Sequence, residues 1–145
     1  MPTTIRLAQV QDAPSIQQIN RICFDYDDLS LQQVECLVAA IVQKGQNRIF
    51  VAEADGEVVG YAHAADYTTT YRADMKNIIS IAVLPQRQKT GAGKLLLLAV
   101  EDWARQEGCC GVRLVSGHNR QDAHDFYEHM GYHNRKEQKN FIKLF

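Results

Sequence analysis

The sequence has no hydrophobic run long enough to cross a membrane, because its apolar stretches fall far short of the roughly 20 residues that a spanning helix needs. Its first residues, MPTTIR, contain no apolar signal region, so we expect a cytoplasmic protein. An excess of one charge is also lacking, since 16 basic and 17 acidic residues give a net charge of -1. We therefore expect neither nucleic acid nor an anionic membrane surface as a partner.

Cysteine and histidine are few and lack the spacing of metal ligands. The four cysteines, at positions 23, 36, 109 and 110, form no C-x-x-C pair, and the five histidines show no repeated interval. Because zinc sites usually place their ligands at short, regular intervals, we predict no metal cofactor. Most of the cysteines are expected to be small buried hydrophobic residues. Adjacent Cys109 and Cys110 leave sensitivity to oxidation open.

No linker, internal repeat or low-complexity tract divides the 145 residues. A content of 46% hydrophobic and 23% charged residues is typical of a soluble globular protein. A chain of this length is large enough for one hydrophobic core and too short for a second. We therefore predict a single domain that spans residues 1–145.

The hydrophobic pattern predicts strands and helices along the whole chain. Strands are predicted at 4–8, 49–54, 58–67, 77–84, 111–116 and 141–145, and helices from Asp12, from Ser30 to Gly45, from Leu95 to Gly108 and up to Gly131. Asp55-Gly56 favours a tight hairpin turn, and residues 24–28 are expected to form a loop. The strand, helix, strand unit at 77–117 implies parallel pairing. The pattern therefore predicts an α/β fold in which helices cover a mixed sheet.

A glycine-bearing loop, V-L-P-Q-R-Q-K-T-G-A-G-K-L at residues 83–95, joins a predicted strand to a predicted helix. Pro85 ends the strand because it has no amide to give to a sheet, while Gly91 and Gly93 allow close approach of another molecule. The first amides of a helix lack internal partners and attract anions. The loop is therefore a predicted phosphate or pyrophosphate site, with further donors and positive charge from Gln88, Lys89 and Lys94.

Two common phosphate loops do not fit this stretch. A Walker loop needs glycine where Gln88 stands and serine or threonine where Leu95 stands. A dinucleotide fingerprint needs glycine or alanine at the position of Leu96. The pattern that remains is Q-x-x-G-x-G at residues 88–93.

This pattern resembles the acetyl-coenzyme A loop of the GCN5-related N-acetyltransferase (GNAT) family. A second segment, N-R-Q-D-A-H-D-F-Y-E-H-M-G-Y at residues 119–132, resembles the family signature N-x-x-A-x-x-F-Y-x-x-x-G-F/Y at every fixed position. The two motifs occur in the order found in the family. The resemblance implies the GNAT fold, with a mixed, mostly antiparallel central sheet flanked by helices, and acetyl-coenzyme A as co-substrate.

The resemblance also implies roles for individual residues. The pantetheine arm of the coenzyme would bind the strand amides of Ile81, Ala82 and Val83, and its pyrophosphate would bind Gln88, Lys89, Thr90, Gly91, Ala92, Gly93 and Lys94. Asn119 stands where the family places a polar contact to the pantetheine, and Ala123 is small where that arm passes. Tyr127 corresponds to the tyrosine that faces the thioester sulfur, where it could protonate the departing thiolate.

The implied reaction transfers an acetyl group to a primary amine of a small molecule or peptide by direct attack in a ternary complex. Many family members carry Glu or Asp where this chain has Ile79 and Ser80, so the general base is not assigned. Asp66, His118 and a water held by Ser80 are the candidates. The missing acid keeps an alternative open, namely a coenzyme A binding or regulatory module with little turnover.

The acceptor amine is less well defined by the sequence than the donor. Asp25, Asp27 and Asp28, together with Tyr26, form a cluster that could line a site for a cationic amine or could simply lie in a solvated turn. An amino sugar antibiotic, a polyamine, a lysine-like amine, an amino acid and a peptide amino terminus all remain open. Many relatives form dimers, so the resemblance also leaves a homodimer open.

Overall fold

The computed structural model describes residues 2–117 and 119–145. The chain divides into two compact units, of which the first ends at Val115 and the second begins at Ser116. The five strands and three longer helices of the first unit are β1 (Thr4–Leu7), α1 (Ala13–Phe24), α2 (Leu31–Gln43), β2 (Asn47–Ala54), β3 (Glu57–Tyr67), β4 (Met75–Val83), α3 (Ala92–Gln106) and β5 (Gly111–Leu114). The second unit contains α4 (Gln121–His129).

The five strands form one sheet in the order β1-β2-β3-β4-β5. Neighbouring strands from β1 to β4 are antiparallel, whereas β4 and β5 are parallel and are connected through α3. This arrangement confirms the predicted mixed, mostly antiparallel sheet with flanking helices. The predicted hairpin between β2 and β3 is also present, because Asp55 (φ 55°) and Gly56 (φ 76°) both adopt the left-handed conformation of a tight two-residue turn.

Alternation along the strands produces two hydrophobic faces. On one face, Ile49, Val51 and Tyr61 join a buried cluster with residues of α1 and α2, including Ile16, Ile19, Val34 and Val38. On the other face, Phe50 meets Trp103 of α3 in an edge contact, with ring centroids 6.3 Å apart. The two faces are called the α1/α2 face and the α3 face below.

The starts of the first two helices show why local cap prediction succeeds only in part. Ser30 caps α2 as predicted, because its hydroxyl accepts from the Gln33 amide at 3.1 Å. Asp12 was expected to cap α1, but its carboxylate makes no cap hydrogen bond. It instead receives two hydrogen bonds from the Arg6 guanidinium, at 2.8 and 2.9 Å. The carboxylate also accepts from the Gln9 backbone amide at 2.7 Å. The prediction that Asp12 caps α1 is wrong because Arg6 of β1 and the Gln9 amide bind the carboxylate.

Three other sequence predictions are also wrong. Residues 141–145 form no strand, and the side chains of Phe141, Ile142, Leu144 and Phe145 are exposed. Phe24 lies in the last turn of α1, so the predicted loop begins only at Asp25. The cysteines are not buried, since Cys36 and Cys110 are exposed and Cys23 and Cys109 are half-buried. Across the described residues, no helix combines the length and apolar character of a membrane span.

Candidate active site

The end of β4 leaves part of its backbone without a strand partner. The parallel pairing with β5 runs from Met75 opposite Gly111 to Ile78 opposite Leu114. Pairing with β3 on the other side continues to Val83 opposite Gly60. Among the described strands, residues 79–83 of β4 therefore have a neighbour on one side only. Backbone groups on their open side are available to a ligand that lies along the strand.

The loop after β4 has the backbone shape that the anion-site prediction requires. Residues Pro85–Arg87 form one turn of 3-10 helix, and α3 begins at Ala92. Gly91 is the first flanking residue of α3 and has a φ of 93°, a conformation that glycine adopts without steric cost. Lys89 also has a positive φ, of 64°, although it carries a side chain. Glycine would adopt this conformation more easily than lysine does.

The amino terminus of α3 presents unpaired amides and positive charge. No side chain caps this helix, and its first turn contains no acidic residue. The first amides of a helix and the positive end of its dipole attract anions together. Lys89 and Lys94 are exposed, and neither forms an ion pair with any residue that the structure describes. Both lysines are therefore available to a phosphate group.

Two polar side chains of the loop bind the protein itself. The Gln88 amide group donates to the Val83 carbonyl at 3.1 Å, and the Thr90 hydroxyl donates to the Arg87 carbonyl at 2.5 Å. These bonds hold the loop against the end of β4. The Gln88 backbone amide also bonds within the loop, to the Pro85 carbonyl at 3.3 Å. Both side chains therefore maintain the shape of the loop.

The position where many relatives have an acid is a β-bulge. His63 of β3 lies opposite Ser80, and Ala64 lies opposite Ile78, so Ile79 is an extra residue of β4. The Ile79 side chain is 54% exposed and can neither accept nor donate a proton. The bulge is therefore present without the carboxylate.

Of the three candidate bases, Asp66 already has another partner. Its carboxylate pairs with Lys76 of β4, which also donates to Glu107, the residue after α3, at 2.5 Å. Lys76 is 1% exposed, and its amino group lies 3.8 Å from the centroid of the Trp103 ring. Burial alone would lower the pKa of Lys76, but its hydrogen bonds with the two carboxylates outweigh burial and raise it. Asp66 thus neutralises a buried cation on the α3 face. His118 lies outside the described residues.

A row of polar side chains crosses the α1/α2 face beside the bulge. The Tyr61 hydroxyl donates to the Asn20 side-chain oxygen at 2.5 Å, and a ring nitrogen of His63, Nε2, lies 2.9 Å from the Asn47 side-chain oxygen. Burial raises the pKa of Tyr61, and a hydrogen bond with Ser80 opposes that shift. Burial lowers the pKa of His63. His63 and Tyr61 were not predicted as site residues, because their proximity to Ser80 depends on the register of the bulged strand pair.

The acidic loop between α1 and α2 is open to solvent. Asp25 ends α1 with a φ of 60°, and Tyr26 packs its ring against Phe24 with centroids 5.6 Å apart while remaining 67% exposed. Asp25, Asp27 and Asp28 are exposed, and within the described part of the chain they form no ion pair. Their charge is therefore available to a cationic ligand.

In the second unit, the signature residues lie on or just before α4. Asn119 precedes the helix, and Ala123 and Tyr127 are one helical turn apart on it, which places them on the same side. The Tyr127 ring contacts Phe126 and Tyr132, at centroid distances of 5.5 and 6.3 Å. Burial raises the pKa of Tyr127, so its hydroxyl stays protonated at neutral pH. A protonated phenol can serve as an acid.

Comparisons with known proteins agree with the motifs. The family model described as "Acetyltransferase (GNAT) family" matches residues 13–132. The chain is 32% identical over 133 residues to the uncharacterized N-acetyltransferase YhfO of Bacillus subtilis (strain 168), covering 88% of each protein. It is 34% identical over 112 residues to an aminoglycoside N(6')-acetyltransferase type 1 of Stenotrophomonas maltophilia, covering 73% of this chain and 70% of that protein.

A solved structure shows the same fold. AAC(6')-Iy in complex with the bisubstrate analog CoA-S-monomethyl-acetylneamine matches with a TM-score of 0.84 and 19% identity, covering all of both chains. At this identity the likeness concerns the fold. The family model and the two relatives confirm the resemblance predicted from the paired motifs, and the chain belongs to the GNAT family of acetyltransferase enzymes.

Proposed function

We propose that this protein transfers the acetyl group of acetyl-coenzyme A to a primary amine of a small molecule or peptide, by direct attack in a ternary complex. The observation that carries the proposal is the open side of β4 after Ile78, which leads through a loop to the amino terminus of α3. Lys89 of the loop and Lys94 of α3 are exposed, and neither pairs with an acid among the described residues. An extended pantetheine arm followed by a pyrophosphate has the shape and charge that this strand and loop would bind.

The proposed coenzyme site uses backbone more than side chains. Ile81, Ala82 and Val83 would hydrogen-bond the pantetheine arm through their main chain. The amides of residues 89–94, with the charges of Lys89 and Lys94, would bind the pyrophosphate, while Gln88 would hold the loop in shape. Asn119 would add a polar contact to the pantetheine, and the small Ala123 side chain would leave room for that arm.

The proposed chemistry needs an oxyanion donor and an acid. A neutral amine attacks the thioester carbonyl, and a strand amide near Val83 would stabilise the negative charge that develops on oxygen. Coenzyme A leaves as a thiolate, and we assign its protonation to Tyr127. The raised pKa of Tyr127, caused by burial, supports this role because the phenol carries its proton at neutral pH.

Direct attack is favoured over an acetylated enzyme intermediate. Burial raises the pKa of the Cys109 thiol, which keeps it in its less nucleophilic form. Cys109 and Cys110 also precede β5, whereas the proposed coenzyme site follows Ile78 on β4. No cysteine is therefore given a role in the transfer, and the proposal includes no metal.

A small cationic amine is the acceptor class that the chain supports best. The exposed carboxylates of Asp25, Asp27 and Asp28 would attract it. One relative is named as an aminoglycoside acetyltransferase, which agrees with an amino sugar as acceptor. Polyamines and lysine-like amines have the same charge and belong to the same class.

A panel of amines tests the proposal. Acetyl-coenzyme A is incubated with the purified protein and one amine at a time, and free thiol is measured. The panel contains an aminoglycoside, a polyamine, lysine, neutral amino acids and a short peptide. We expect thiol release with at least one cationic amine.

The competing function, a coenzyme A binding or regulatory module, is favoured by the absence of an acid at Ile79 and Ser80. Calorimetry with acetyl-coenzyme A separates the two functions. Tight binding without thiol release from any amine would support the module and contradict transfer. Absence of binding would contradict both.

A further inference from the structure

Beside the bulge, the α1/α2 face carries a proton acceptor that the proposed reaction otherwise lacks. Ser80 immediately precedes Ile81, the first residue of the proposed pantetheine contact, and lies directly opposite His63. Side chains directly opposite each other on antiparallel strands have Cβ atoms about 5 Å apart and point to the same face. A serine hydroxyl and an imidazole thus lie side by side where β4 loses its β5 neighbour.

The hydrogen bond to Asn47 leaves one nitrogen of His63 able to accept a proton. Nε2 of His63 lies 2.9 Å from the Asn47 side-chain oxygen. Because a carbonyl oxygen can only accept, Nε2 donates to it, and Nδ1 keeps its lone pair in the neutral ring. The hydrogen bond also holds the ring in place on the half-buried α1/α2 face.

The surroundings of His63 favour the neutral ring. The groups that face it are Asn47 of β2, Ser80 and Asn77 of β4, and Tyr61 and Tyr67 of its own strand, all of which are amides, hydroxyls or phenols. Beyond them on this face lies a cation, Arg113 of β5, whose guanidinium donates to the Asn77 side-chain oxygen at 2.6 Å and lies 4.3 Å from the centroid of the Tyr67 ring. A positive charge nearby also favours the neutral imidazole. The last turn of α2, which packs near β2, contains no charged residue. Asp66 and Lys76 lie on the opposite face by strand alternation. Burial lowers the pKa of His63 from its ordinary value of 6.5, so the ring is neutral at pH 7 and can accept a proton.

Ser80 belongs to the row of polar side chains on the α1/α2 face and contacts Tyr61 there. The Tyr61 hydroxyl gives its proton to the Asn20 side-chain oxygen, so it can accept a hydrogen bond from Ser80. Tyr61 is 5% exposed and belongs to the core cluster. The Ser80 hydroxyl is thus placed by a buried residue on one side and faces an imidazole on the other.

We propose that His63 accepts the proton of the attacking amine by way of the Ser80 hydroxyl, in place of the carboxylate that this strand lacks. The inference rests on the proposed acetyl transfer, whose general base it names. When the amine binds, the Ser80 hydroxyl rotates its single proton away from the Tyr61 oxygen and toward Nδ1 of His63. The bound ammonium then gives a proton to Ser80 as the hydroxyl proton passes to Nδ1. The neutral nitrogen then forms the C–N bond, the C–S bond breaks, and Tyr127 protonates the thiolate.

Protons balance over the cycle. The second proton lost from the nitrogen restores Tyr127 through solvent, and His63 releases its proton to solvent. Each turnover of an ammonium substrate therefore releases one proton.

The variant His63→Gln tests the proposal, because glutamine can still donate to Asn47 but cannot take up a proton. With the fastest amine of the panel, we expect kcat to fall about 100-fold. In the unmodified protein, kcat should fall as pH drops below 6.5, because His63 becomes protonated and can no longer accept. This fall of kcat at low pH should be absent from the variant. His133→Gln, at an exposed position that is not among the proposed site residues, is the matched control. It should keep both the kcat of the unmodified protein and the fall of kcat at low pH.

Ser80→Ala tests the route of the proton. Loss of the hydroxyl should lower kcat by an amount similar to that of His63→Gln. The double variant should be no slower than the slower single variant, because both substitutions interrupt one transfer. Additive losses would contradict a shared route. Thermal unfolding of each variant checks that the fold is retained.

Nuclear magnetic resonance of the imidazole nitrogens tests the assignment without any acceptor. We expect His63 to carry its proton on Nε2 at pH 7 and to titrate below pH 6.5. A proton on Nδ1, or titration above that value, would overturn the proposal.

The kinetic tests distinguish failure of this inference from failure of the proposed function. If His63→Gln turns over an amine with an unchanged rate and pH profile, this inference alone is overturned. A panel in which no amine releases thiol overturns the proposed function together with it.

Discussion

At the scale of single residues, burial shifts the pKa of the proposed acid and of the proposed base in opposite directions. Tyr127 and His63 are both shifted by desolvation, which raises the pKa of the phenol and lowers that of the imidazole. Each shift favours the neutral form, because burial disfavours charge. At pH 7 the phenol can give a proton and the imidazole can take one, as the proposed transfer requires.

Tyr127→Phe should lower kcat about 100-fold and leave the Kd of acetyl-coenzyme A nearly unchanged. The substitution removes the proton donor for the thiolate but keeps the ring contacts with Phe126 and Tyr132. Steady-state kinetics and calorimetry measure the two quantities. Phe126→Leu is the companion variant, which disturbs packing without removing a proton donor. An unchanged rate in Tyr127→Phe would reject the tyrosine as the acid.

Asp66→Asn should reduce stability and leave catalysis intact. The substitution leaves Lys76, which is 1% exposed, with Glu107 as its remaining carboxylate partner, and we expect a loss of about 1–3 kcal/mol. Adding Lys76→Met should recover part of the loss, because the buried cation is then absent. Denaturant unfolding measures both effects. If kcat per folded molecule fell in Asp66→Asn, the carboxylate would have to be reconsidered as the base.

At the scale of elements, the segment made of β4, the following loop and α3 has two places where the backbone lacks hydrogen-bond partners. The strand loses its β5 partner after Ile78, and the helix begins with uncapped amides at Gly91. Hydrogen bonds from Gln88 to Val83 and from Thr90 to Arg87 hold the connecting loop. The element therefore offers a linear row of backbone groups followed by an anion site.

Two substitutions of Lys89 distinguish the effect of backbone strain on stability from the effect of charge on coenzyme binding. Lys89→Gly should stabilise the fold by up to about 1 kcal/mol, because glycine adopts the positive φ of 64° at that position without steric cost. Lys89→Gln keeps a side chain there and should bring no such gain. Both variants should weaken coenzyme binding about two- to fivefold at low salt, because both lose a charge near the phosphates. Thermal unfolding and calorimetry test the pair. Stronger binding by Lys89→Gly would show that the charge does not contribute.

The sequence predicts correctly the features that depend on residues close together in the chain. Asp55-Gly56 specified the hairpin, Ser30 specified the start of α2, and residues 88–93 specified the loop. The prediction for Asp12 failed because Arg6 binds its carboxylate, and Arg6 also contacts Glu53 of a strand far along the chain. The apolar residues at 141–145 satisfy a strand pattern, but a strand also needs an edge to pair with. No local pattern supplies that edge.

At the scale of the whole molecule, the motifs identified the donor more readily than the base. The proposed coenzyme site depends on a continuous stretch and a signature, both of which can be read along the chain. The relation of His63 to Ser80 depends on a bulge at Ile79 of β4, and a shift of β4 by one residue would place Ser80 on the other face. The acceptor depends on side chains from several elements. Homodimerisation stays a prediction, which sedimentation can check.

Hydrogen exchange with and without acetyl-coenzyme A tests the central claim most directly. The claim is that the coenzyme lies along the open side of β4 and against the amino terminus of α3. At saturating acetyl-coenzyme A we expect slower amide exchange in residues 81–94, with little change in β1 and the β2–β3 turn. Binding detected by calorimetry without added protection of residues 81–94 would contradict the account, as would the absence of binding.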